Sequence, residues 1–141
     1  MKRIAVIVFV ALVSARCGRS LDTPTTPTTT AATSRTAHFG GSLTVGETRF
    51  YSFTITQAGT ITAMLASITS PRTGAALDTE LGLGIGRPAG TGCALSASVN
   101  TTAALKAHLQ ESAAAGIYCI NVSDVGRLTG DVDFVVRFTY P

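Results

Sequence analysis

Residues 132–140 read Val-Asp-Phe-Val-Val-Arg-Phe-Thr-Tyr, so Val132, Phe134, Val136, Phe138 and Tyr140 alternate with Asp133, Val135, Arg137 and Thr139. A period of two puts each set on its own face of an extended strand and fits no helix. The pattern recurs. Residues 49–56 place Tyr51, Phe53 and Ile55 against Ser52, Thr54 and Thr56, and residues 60–68 carry Ile61, Ala63 and Leu65 in phase more loosely. Residues 81–85 alternate leucine or isoleucine with glycine. One apolar face per strand is the mark of half-buried antiparallel sheet. Gly59 and Gly116 punctuate strand starts, where glycine takes the backbone angles of a tight turn. About six to eight such strands predict an all-β fold, a two-sheet antiparallel sandwich of jelly-roll type.

Residues 101–115 admit two readings. Leu105 and Leu109 stand at helical spacing among good helix formers, including Lys106, Gln110 and Glu111. The same stretch also alternates, with Ala103, Leu105, Ala107 and Leu109 against Ala104, Lys106, His108 and Gln110. In a chain otherwise made of strands, the expectation is a strand to Leu109 followed by a turn.

Ahead of the strands lie two segments of different character. Lys2 and Arg3 precede an unbroken apolar run, residues 4–13, that ends in Ser14-Ala15-Arg16-Cys17. A basic start, a short apolar stretch and small exit residues make an export signal, and the run is about half what a membrane-spanning helix needs. Val13-Ser14-Ala15 suits ordinary cleavage before Arg16. Cys17 in turn resembles the acylated cysteine of bacterial lipoproteins, although Arg16 stands where Gly, Ala or Ser is usual in that family. Residues 1–16 are therefore expected to be a signal peptide, possible lipidation falls on Cys17, and the working part is extracytoplasmic, either secreted or tethered to the cell envelope. Residues 17–36 are dominated by a Thr/Pro tract with no apolar periodicity, the composition of an extended linker. Residues 37–141 have globular composition and suffice for one small domain.

Cleavage before Arg16 removes Lys2 and Arg3 and leaves nine basic against eight acidic residues, a net of +1, with Lys106 the last lysine. Nucleic-acid binding calls for a basic stripe with aromatic neighbours, and this chain has neither. Any membrane contact is expected only through a lipid on Cys17.

Cys93 and Cys119 lie in the globular part, and exported cysteine pairs oxidise, so a Cys93–Cys119 disulfide is expected. On strand parity Tyr118, Ile120 and Val122 face the core and Cys119 the outer surface, beneath residues 87–92. His38 and His108 are the only histidines, and neither has a neighbour at metal-ligand spacing. No Gly-x-Ser-x-Gly elbow or phosphate loop is present, so no catalytic residue is assigned. Gly82, Gly84 and Gly86 read as small residues where other chain crosses closely, not as a nucleotide loop.

No cofactor is expected. Calcium, which takes six to eight oxygens, has weak candidates in Asp78, Glu80, Asp124, Asp131 and Asp133, near strand ends and on the last strand. Asp78 also reads as a turn residue that bonds backbone amides. Asn100-Thr-Thr and Asn121-Val-Ser match the glycosylation sequon and are expected to be idle.

Several runs in order carry a resemblance: Phe39-Gly40-Gly41-Ser42-Leu43; Gly46-Glu47-Thr48-Arg49-Phe50-Tyr51-Ser52-Phe53; Ala58-Gly59-Thr60-Ile61-Thr62; Asp78-Thr79-Glu80-Leu81; and Ala115-Gly116-Ile117-Tyr118-Cys119-Ile120-Asn121-Val122. With the alternating last strand, the chain from residue 38 to 141 resembles the bacterial pre-peptidase C-terminal domain. The resemblance implies a small β-sandwich that is not itself catalytic. In that family the domain trails a secreted peptidase; here none precedes it, which leaves an isolated sandwich on a tether. The expected function is accordingly a non-catalytic binding module whose partner is an envelope or secreted protein or a polysaccharide. The alternatives are a structural, self-associating envelope protein and, more remotely, a small secreted hydrolase.

Overall fold

The computed structural model describes residues 33–141. The chain forms eight strands: β1 (Arg35–Leu43), β2 (Thr48–Ile55), β3 (Gly59–Thr69), β4 (Leu81–Ala89), β5 (Gly92–Thr101), β6 (Leu109–Ala113), β7 (Gly116–Asp124) and β8 (Val132–Tyr140). They make two four-stranded sheets, sheet A in the order β1-β8-β3-β6 and sheet B in the order β2-β7-β4-β5. All the pairings are antiparallel, and among them β1 meets β8, β2 meets β7, β3 meets β6 and β4 meets β5. The chain is thus one long hairpin, doubled and rolled so that alternate pairs fall in opposite sheets. That is the jelly roll the alternating pattern predicts.

The core is what the period-two phase selects. Val132, Phe134, Val136 and Phe138 from β8 are buried against Ile61, Ala63 and Leu65 of β3, and they face Leu81, Leu83, Ile85, Tyr118, Ile120 and Val122 of sheet B. Each buried aliphatic or aromatic side chain contributes about 1.5–3 kcal/mol by leaving water. The looser phase of β3 has a local cause. The β3–β8 register slips between Leu65 and Ser67, so the inward series 61, 63, 65 resumes at Ile68. Phe53, Phe138 and Tyr140 cluster at one end with ring centroids 4.8–5.7 Å apart. Phe39 and Tyr51, with centroids 4.0 Å apart, close the side where β1 and β2 are edges.

Residues 102–108 correct the expectation of a strand to Leu109. β5 ends at Thr101, the following residues form a loop, and the next strand starts at Leu109. Neither a helix nor a continuous strand forms, because the edge of β3 is satisfied piecemeal. The Ala104 amide donates to the Leu65 carbonyl and the His108 amide to the Ala63 carbonyl, at 3.0 and 2.9 Å. The imidazole Nδ1 of His108 accepts from the Leu65 amide at 3.1 Å, as the carbonyl of a strand would. The intervening residues swing away, leaving Leu105 93% exposed.

Cys93 and Cys119 are disulfide-bonded across 26 positions. Their strands lie on either side of β4, so the bond ties β5 to β7 over the outer face of sheet B. Beside it Arg87 donates to the Tyr118 hydroxyl at 2.7 Å, so the polar tip of a buried ring has its partner.

Candidate functional site

Four connections gather at one end of the sandwich: residues 44–47, 70–80, 102–108 and 125–131. All five calcium candidates lie at or near this end, each in its own arrangement. Asp124 is saturated by backbone: its carboxylate accepts the amides of Gly46, Gly126, Arg127 and Leu128 at 2.8–3.2 Å. Those amides, Gly46 first, hold its pKa below the ordinary aspartate value. Asp124 thereby joins the β1–β2 turn to the β7–β8 loop, and the amide-bonding role read for Asp78 belongs to Asp124. Asp133 accepts from the Ser42 hydroxyl at 2.6 Å, across the β1–β8 ladder. Glu80 pairs with Arg127 at 3.7 Å. Asp78 and Asp131 line one shallow depression with Leu77, Arg127 and Leu128. Among the described residues no three His, Cys, Asp or Glu side chains converge as ion ligands.

The two histidines are held apart. His38 lies in β1 opposite Arg137, while His108 sits on the far edge of β3, with β8 and β3 between them. Burial, then the charge of Lys106, lowers the His108 pKa. Its Nδ1 is occupied as an acceptor, which fixes the ring proton on Nε2. Cys17 lies outside the described residues.

A second feature is the outer face of sheet B. With Tyr118, Ile120 and Val122 in the core, β7 turns Ile117, Cys119, Asn121 and Ser123 outward, as parity predicts. Through the ladder, β2 adds Phe50, Ser52 and Thr54 to that face. β4 adds Gly82, Gly84 and Gly86. β5 adds Asn100 and Ser98 and, past the bulge at Ser96, Leu95 and Cys93. No outward position of the sheet carries an ionisable side chain. The glycines are there because neighbours lie on them: a Cβ on Gly84 would stand 2.8 Å from the Leu95 methyls, and one on Gly82 would stand 2.6 Å from the Ser123 hydroxyl. The close crossing read from the sequence is real, and its effect is to let side chains of flanking strands fold down over β4.

No protein-family model matches this chain, and no curated protein matches it in sequence.

Phe50, Leu95 and Ile117 stand on this neutral face at 37%, 45% and 55% exposure. Phe50, Asn121 and Gly84 are aligned across three strands, with Leu95 lying over the glycine. Asn121, at the centre of that row, is only 7% exposed. Burial at that level also closes its sequon to modification, whereas Asn100 is exposed. Sequence reasoning passed over Phe50 because it stands out of phase beside Tyr51 and Phe53. The signal was that very displacement: an aromatic on the solvent face of a half-buried strand.

Proposed function

We propose that this chain is a non-catalytic, extracytoplasmic interaction module, displayed on the Thr/Pro tract that precedes β1, with the outer face of sheet B as its contact surface. The observation that carries the reading is that face itself: a four-stranded surface without an ionisable side chain, bearing three exposed apolar residues. Such a surface loses little on desolvation, since no charge has to be stripped of water, and charge-depleted patches with aromatic anchors are where interfaces have their centres. The disulfide that ties β5 to β7 stiffens the face and is compatible with an oxidising compartment. The ordered runs that resemble the pre-peptidase C-terminal domain support a binding role over a catalytic one. His38 and His108, on opposite sides of sheet A, offer a hydrolase no shared site.

The test is a photo-crosslinking amino acid placed at position 50, and in a second variant at position 38 on the outer face of sheet A, each in the full chain and illuminated in the cells that make it. Adducts from position 50 and none from 38 are the expected result. Absence of adducts from position 50 overturns the reading.

A further inference from the structure

We infer that the occupant of the sheet B face is a second copy of this chain, packed face to face about a twofold axis that runs along the strands. The inference rests on the reading of this face as a contact surface and names its partner. The first argument is size. Four strands about 4.8 Å apart, averaging nine residues that rise about 3.3 Å each, make a face of roughly 550 Å² per copy. A pair buries about 1,100 Å², just above the roughly 1,000 Å² that a specific interface has to clear.

The second argument is charge. Packing this face against its own copy strips no charge of water, whereas the outer face of sheet A would have to desolvate Asp133 and Arg137.

The third is the geometry of the central row. Sheet B runs β2-β7-β4-β5, with Phe50 on the first strand and Leu95 on the last. A twofold axis in the interface, parallel to the strands, lays β2 of each copy over β5 of the other. Phe50 of each copy then meets Leu95 of the other, in the reciprocal manner an isologous contact demands. The same operation lays β7 of each copy over β4 of the other.

Sedimentation of the full chain tests the arrangement. The wild type is expected to dimerise, and Phe50→Glu and Leu95→Arg each to weaken dimerisation about tenfold or more. Mixing the two variants is expected to restore it, since one contact of the mixed pair becomes Glu against Arg and the other stays Phe against Leu. Arg137→Glu, on sheet A, is expected to leave it unchanged. A monomeric wild type overturns the inference, as does a dimer indifferent to both substitutions or a mixture that stays monomeric. The crosslinker at position 50 gives a second readout that needs no charged variant: the adduct has twice the chain mass and maps to the segment holding Leu95. An adduct with another protein or with a neutral polysaccharide overturns the second copy while leaving the interaction module standing. No adduct removes both.

Discussion

Three acceptors, two carboxylates and one imidazole, set how single residues here respond to pH. Asp124 and Glu47 are held below the ordinary carboxylate pKa, the first by four backbone amides, the second by the Thr44 amide. A depressed acid adds stability above its unfolded pKa and loses it as pH falls through the folded value. His108, also depressed, follows the same sign at a higher pH, because its protonation removes the lone pair that accepts the Leu65 amide. The melting temperature is therefore expected to fall in two steps on acidification, one below about pH 6.5 and one below about pH 4. His108→Ala should abolish the upper step and Asp124→Asn, which keeps a carbonyl but cannot titrate, should flatten the lower; unchanged profiles in differential scanning calorimetry refute the assignments. The glycines of β4 differ in the same local way. A methyl on Gly84 meets only the mobile end of Leu95, while one on Gly86 runs into the Ala94 carbonyl at the bulge. Gly86→Ala should lose about 1–3 kcal/mol in urea denaturation, and Gly84→Ala distinctly less.

The strands differ in how openly they announce themselves. β8 is legible because five inward positions are large and apolar while the outward ones include Asp133, Arg137 and Thr139. β4 is legible as a strand through its alternation, and its glycines mark the close crossing even though they do not say which neighbours cross. β5 is not legible: Ala94, Ser96, Ala97 and Ser98 are too small to show a phase, and the bulge at Ser96 breaks what phase there is. The break at residues 102–108 was hidden for a different reason, since no local pattern reveals that an imidazole will stand in for a strand carbonyl. The disulfide was legible as a pairing. Its mechanical role, joining β5 to β7 across β4, needed the sheet order. Cross-linking 26 positions apart stabilises a small domain by about 3–4 kcal/mol through the unfolded chain. Reduction of the full chain should lower its melting temperature by several degrees, and an equal melting point in reductant would falsify that estimate.

At the scale of the molecule the two sheets share one core, and Phe134 lies at its middle, edge-on to Phe39 with ring centroids 5.4 Å apart. Phe134→Ala should cost about 3–5 kcal/mol, enough to unfold most domains of this size, as circular dichroism would register. The sandwich itself was legible from the alternating segments taken together. The neutral face was not, because it is assembled from four strands that the sequence does not number by neighbourhood: Phe50 and Asn121 are side by side in space and far apart in the chain. The nesting of pairs has one more consequence. β8 is the last strand to be made, yet it lies between β1 and β3, so sheet A has no middle until those nine residues arrive. Nothing earlier in synthesis offers β1 or β3 a permanent neighbour on that side. Sheet B, which needs only β2, β4, β5 and β7, can pair beforehand, so the closing of the sandwich waits on this one strand.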